Sequence, residues 1–216
     1  MQRFLYPLIR SALAVGWLFL IASQVTASGQ SAERNILVLG DSISAAYGMS
    51  LEQGWVALLE EELAREGAGF SVVNASISGE TSDGGLRRLP ELLQQHNPEL
   101  VIIELGANDG LRGFPLSRLR NNLAAMSRAS QEAGAGVVLV AMEIPPNYGA
   151  RYTSGFRESF STVARDTGAV LTPFILQQFA TDPQMMQEDG IHPTAGAQAM
   201  MLQTVLPSIR SSLATP

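Results

Sequence analysis

The sequence predicts an α/β fold, a mainly parallel five-stranded sheet covered by helices on both faces. Three observations predict it. Short apolar runs alternate about five times with segments striped at helical spacing, the pattern of a parallel sheet. The runs are apolar throughout rather than at every second position, as strands buried on both faces are. Three of the first four runs stop at small polar residues: Gly40-Asp41-Ser42, Ser78-Gly79 and Gly106-Ala107-Asn108-Asp109. Parallel strands would bring these ends to one edge of the sheet, where α/β proteins bind their ligands.

The elements follow in order. Residues 36–39 form the first strand, and residues 48–54 a loop of small residues. Trp55, Leu58, Leu59 and Leu63 mark a helix over residues 55–65, ended by Gly67 and Gly69. Residues 70–73 are the second strand. Leu86, Leu89, Leu92 and Leu93 mark a second helix, with Pro90 inside it as a kink or a late start. Residues 100–105 are the third strand. Leu116, Leu119, Leu123 and Met126 stripe a long third helix, closed by Gly134 and Gly136. Residues 137–142 are the fourth strand, running into Glu143-Ile144-Pro145-Pro146. Phe156, Phe160 and Val163 stripe a fourth helix, and residues 169–172 a short fifth strand. Ala199, Leu202, Leu206, Ile209 and Leu213 mark a closing helix, with Pro193 suited to its first position. With no internal repeat and no low-complexity linker, residues 28–216 are expected to form one domain.

The first 27 residues differ from the rest. Arg3 and Arg10 are their only charged side chains, residues 11–22 are mostly apolar, and Val25-Thr26-Ala27 offers small residues for cleavage. This is the layout of a secretory signal peptide, residues 1–27, cut after Ala27. The apolar run is short for a membrane span, which needs about 20 residues. The expected location is periplasmic or secreted, with no stable membrane anchor once the leader is removed.

Composition narrows the chemistry. Hydrophobic residues make up 46%, which argues against disorder. All basic residues are arginine, and the net charge of −6 gives no basis for nucleic-acid binding. Without lysine there is no P-loop. Without cysteine there is no disulfide and no thiolate nucleophile, and two distant histidines make a histidine- or cysteine-rich metal site implausible. No G-x-G-x-x-G follows the first strand, and no G-x-S-x-G marks the usual nucleophile elbow.

Ser42 stands at the end of the first strand, on a turn at the mouth of the expected cleft. A serine needs a base and an oxyanion site to act as a nucleophile. His192 supplies the base, in Asp189-Gly190-Ile191-His192-Pro193. Asp189, three residues earlier across a turn eased by Gly190, can bond one ring nitrogen and leave the other facing the cleft. The plainer reading is that Asp189 caps the closing helix. A helix starting at Pro193 would hold the base rigidly. The oxyanion donors are the backbone N–H of Ser42, the backbone N–H of Gly79 and the side-chain amide of Asn108. Turn chemistry alone is the alternative for Gly79 and Asn108. Asp41 is too close in sequence to Ser42 to act as the triad acid and suits a supporting role in the turn. Asp109 is open between the two roles. His96, in the last turn of a helix, fits the helix dipole and is read as structural.

These four stretches, Gly40-Asp41-Ser42, Gly79, Gly106-Ala107-Asn108-Asp109 and Asp189-Gly190-Ile191-His192-Pro193, resemble the four sequence blocks of the SGNH (GDSL) hydrolase family. They occur in the family's order across nearly all of the chain beyond the leader. Asn74-Ala75-Ser76-Ile77-Ser78-Gly79, Asn108-Asp109-Gly110-Leu111-Arg112-Gly113 and Pro146-Asn147-Tyr148-Gly149 resemble the bacterial periplasmic thioesterase I, arylesterase and lysophospholipase branch. The resemblance implies a flavodoxin-like three-layer α/β/α sandwich. It implies Ser42 as nucleophile, His192 as base, Asp189 as its partner, and an oxyanion hole of Ser42, Gly79 and Asn108. It implies no cofactor and no metal. The expected partner is a small-molecule acyl ester or thioester, and the expected state is a monomer.

The resemblance is weaker over residues 45–54, just after the nucleophile, where acyl or alcohol preference could be set. Leu111, Phe114, Ile144, Pro145 and Tyr148 are apolar candidates for an acyl groove near the strand ends. Anchoring of loops in the core is an equal alternative for each. Two other readings stand beside the ester and thioester hydrolase: a carbohydrate O-acetyl esterase, and a non-catalytic lipid- or glycan-binding module on the same fold.

Overall fold

The computed structural model describes Met1 and residues 34–214, so the expected signal peptide lies outside the described residues. Five strands form one sheet: β1 (Arg34–Gly40), β2 (Phe70–Asn74), β3 (Leu100–Glu104), β4 (Gly136–Ala141) and β5 (Val170–Phe174). All paired neighbours are parallel, in the order β2-β1-β3-β4-β5. The apolar runs of β1, β3 and β4 fill the interior, and Ile36, Leu37, Val38, Leu39, Val101, Ile102 and Ile103 are fully buried. Strand β2 is only half-buried, as an edge strand is.

Helices cover both faces. On one, α1 (Trp55–Arg65) packs against α6 (Gln198–Leu213). On the other, α4 (Leu116–Glu132) packs between α2 (Ser82–His96) and α5 (Ala150–Thr167). Their buried positions recur at helical spacing, as in Trp55, Val56, Leu59 and Leu63 of α1. Phe156 and Phe160 of α5 meet edge to face at 5.3 Å. This is the flavodoxin-like sandwich that the alternation and the resemblance led us to expect.

Two local expectations change, and one short helix is added. Helix α2 starts at Ser82, capped by the Thr81 hydroxyl, and runs through Pro90, so the proline is not its start. Residues 107–111, which follow the third strand, form the short helix α3 (Ala107–Leu111). Pro193 does not begin the closing helix: a single turn of tighter helix spans Ala195–Ala197, and α6 begins only at Gln198. Pro193 instead pairs with Met186 in an antiparallel bridge. The Gln187 N–H donates to the His192 carbonyl at 2.7 Å, and the Thr194 N–H to the Met185 carbonyl at 2.8 Å. These pairings hold residues 192–194 extended, and tertiary contact overrides the helix-start preference of proline.

The order places β1 between β2 and β3, so the connections leave β1 and β3 in opposite directions. A crevice opens beyond their carboxyl ends at such a switch point. Ser42 follows β1 and Asn108 follows β3.

Candidate active site

The turn after β1 is built around buried carboxyl groups. Gly40 is required there: a Cβ would meet the Glu104 Oε2 at 2.7 Å and Ser44 Oγ at 2.8 Å. The Asp41 carboxylate accepts from the Ile43 N–H at 3.0 Å and from the Asn108 side-chain amide at 3.1 Å. It therefore shapes its own turn and orients Asn108, the supporting role expected for it. Burial pushes the Asp41 carboxyl up to about 6, against the bonds it accepts from Ile43 and Asn108.

Glu104 lies beneath, fully buried at the end of β3. Its Oε2 accepts from the Asp41 N–H at 3.2 Å and the Ser44 hydroxyl at 2.7 Å, and Ser44 accepts from the Trp55 indole N–H at 3.2 Å. Burial first, and the Asp41 charge second, hold Glu104 well above the usual carboxylate range. Sequence reasoning passed over Glu104; one acid inside an otherwise apolar strand was the available signal.

The turn after β2 is fixed to the turn after β1. The Ile77 N–H donates to the Gly40 carbonyl at 3.0 Å, and the Glu80 N–H to the Ile77 carbonyl at 3.1 Å. Asn74 ties the same segment down, donating to the Ser44 carbonyl at 2.8 Å. Gly79 has φ +80°, a conformation that side chains rarely adopt, and Arg112 donates to its carbonyl at 3.0 Å.

Asp109 resolves as structural. It is buried, and accepts from the Ser82 N–H at 2.8 Å and the Ser82 hydroxyl at 2.6 Å. It joins α3 to the start of α2 and so steadies Asn108 beside it.

His192 lies on the long connection from β5 to α6. Its Nε2 is 2.8 Å from Ser42 Oγ, and its Nδ1 is 2.6 Å from Asp189 Oδ2. The other Asp189 oxygen accepts from the Ile191 N–H at 2.9 Å and the His192 N–H at 3.0 Å. Asp189 therefore caps its own loop and faces the ring, and caps no helix. Its bonds from the His192 backbone and ring hold the carboxyl low, at about 2. His96 is remote: its carbonyl accepts from Asn35 at the start of β1, the opposite sheet edge from Ser42. The structure thus brings together Ser42, His192 and Asp189, and sets Asn108 against the same turn through Asp41.

The five groove candidates divide. Two of them are joined, the Tyr148 hydroxyl donating to the Leu111 carbonyl at 2.9 Å. The Tyr152 hydroxyl donates to the Phe114 carbonyl at 2.7 Å. Tyr148, Leu116 and Tyr152 line a shallow hollow of about 410 Å³. Pro145 is exposed at the head of the short helical turn carrying Tyr148. Ile144 is a core residue at 8% exposure, its methyl occupying the space that the missing Cβ of Gly110 leaves open.

A parallel α/β/α sandwich with a serine, a histidine and an aspartate in line at its switch point defines the class: serine hydrolases without the usual nucleophile elbow. The comparisons give the family. The chain belongs to the GDSL-like lipase/acylhydrolase family, whose profile matches residues 38–200. It is an esterase-type hydrolase of that family. It is 50% identical over 184 residues to "Esterase TesA" of Pseudomonas aeruginosa, covering 85% of this chain and 92% of that protein. It is 44% identical over 168 residues to "Thioesterase 1/protease 1/lysophospholipase L1" of Escherichia coli K12, covering 78% and 79%. The crystal structure of the psychrotrophic esterase EstA from Pseudoalteromonas, inhibited by monoethylphosphonate, matches with TM-score 0.80 and 46% identity. That match covers 84% of this chain and 99% of the other.

Proposed function

We propose that this chain is an exported hydrolase of acyl esters and thioesters that works through an acyl-enzyme on Ser42. The supporting observation is the line from Ser42 Oγ to His192 Nε2 at 2.8 Å and from His192 Nδ1 to Asp189 Oδ2 at 2.6 Å. Ser42 Oγ attacks the acyl carbonyl while His192 Nε2 takes its proton. Asp189, held ionised, keeps Nδ1 protonated and stabilises the imidazolium. The oxyanion is held by the N–H groups of Ser42 and Gly79 and by the Asn108 amide. One amide hydrogen of Asn108 goes to Asp41, leaving the other for substrate. His192 then protonates the leaving alcohol or thiol, and water, deprotonated by His192, releases the acid and regenerates Ser42.

Residues 1–27 serve in this reading as a leader removed after Ala27, and the enzyme acts as a monomer in the periplasm or outside the cell. Among the described residues no helix is long and apolar enough to cross a membrane. Leu111, Phe114 and Tyr148 receive the acyl chain.

Two measurements test the proposal. A fluorophosphonate probe should label Ser42 in the folded protein, and turnover should extend across aryl esters, acyl-CoA and lysophospholipid. Preference for an acetylated sugar would move the assignment to a carbohydrate O-acetyl esterase, and absence of labelling to a non-catalytic binding module. Asn108→Ala should lower kcat by about 10²- to 10³-fold with little change in KM, since an oxyanion donor acts in the transition state. An effect confined to KM would remove Asn108 from that role.

A further inference from the structure

His192 sits on a connection whose only regular element among the described residues is the turn Ala195–Ala197. What registers such a loop against Ser42 is a side chain that no motif marks. The Gln187 amide Nε2 donates to the Tyr47 carbonyl at 2.8 Å, on the nucleophile's loop. The same nitrogen donates to the Pro193 carbonyl at 2.9 Å, next to the base. The Gln187 backbone N–H donates to the His192 carbonyl, and its carbonyl accepts from the Gly190 N–H at 2.9 Å. Its Oε1 lies so close over Gly48 that a Cβ there would come within 2.4 Å. The Tyr47 ring in turn lies against the His192 ring, centroids 4.3 Å apart and tilted 34°.

We propose that Gln187 is a positioning residue for the general base: its primary amide clamps the Ser42 loop to the His192 loop and sets the approach of Nε2 to Oγ. The inference rests on the roles given above to Ser42 and His192. The two carbonyls it bridges need two N–H donors on one atom, which a primary amide supplies and neither a thioether nor a carboxylate does. The clamp grips backbone rather than substrate, so its loss is felt in the chemical step and not in binding. A misplacement of about 1 Å between reacting groups can cost on the order of 10²-fold in rate.

The test is Gln187→Met, which keeps the length of the side chain and removes both donors. Expected are a kcat lower by about 10- to 100-fold, KM within about twofold, and a parallel slowing of fluorophosphonate labelling of Ser42. On a His192→Ala background the same substitution should cost no further activity, because it acts through that histidine. If Gln187→Met does not fold, Gln187→Glu at neutral pH carries the test with the same expected loss. Unchanged kcat, a loss confined to KM, or a full additional loss on the His192→Ala background would overturn the inference. Ser42→Ala separates the two layers. An active Ser42→Ala enzyme removes the site assignment itself, whereas an inactive one beside a fully active Gln187→Met enzyme removes only the clamp.

Discussion

Ser42→Ala is expected to abolish hydrolysis of a chromogenic aryl ester, lowering kcat by about 10⁵- to 10⁶-fold, and to leave the melting temperature near that of the unaltered protein. The size follows from removing the atom on which the acyl-enzyme forms, a loss comparable to that of a whole triad. The small structural effect follows from the fold. Ser42 is only half-buried, and its turn is held by the Asp41 carboxylate and by the Asp41 N–H to Glu104. None of those bonds uses the Ser42 hydroxyl. Steady-state turnover and a thermal melt check both halves. Retained turnover would sink the assignment of Ser42.

His192→Ala is expected to lose about as much, and the double variant with Ser42→Ala to lose no more, since the two act as one unit. His96→Ala should keep most of the activity, because His96 lies beside Asn35 at the other end of β1. Asp189 adds a pH statement. Its folded value of about 2 lies below the ordinary 3.8. Its contribution to stability is therefore fully present above about pH 4 and is lost as the pH falls through 2. Asp189 stays ionised across any practical pH profile and does not set the acid limb of activity. Asp189→Asn should lower kcat by about 10²- to 10⁴-fold at every pH, with the profile's shape set elsewhere. A pH–rate series on the three variants checks this; equal losses for His96→Ala and His192→Ala would count against the choice of base.

Much of this was legible in the chain. The apolar runs gave the strands because β1, β3 and β4 are buried on both faces, where water cannot reward alternation. The helical stripes of α1, α4 and α5 gave the helices because each buries one face. Ser42, Asn108 and Asp189–His192 stood out because strand-end glycines and small polar residues are rarely needed for packing. Pro193 misled, since a proline ahead of a helical stripe favours helix start locally, while the bridge to Met186 is non-local. Ile144 was open in the sequence between groove and core, and its burial against Gly110 comes from a contact 34 residues away that no local pattern records.

What the sequence by itself determined was the class of fold and the kind of chemistry at its edge, because both rest on residue types and short spacings. What only the tertiary structure decided was how the parts meet. Glu104 became a buried carboxyl under the turn of Ser42 through contacts with Asp41 and Ser44, 60 or more residues away. Gln187 became a clamp through the Tyr47 carbonyl, 140 residues away. A side chain's partner across such distances is set by where the sheet order brings the loops, and one-dimensional periodicity carries no record of it.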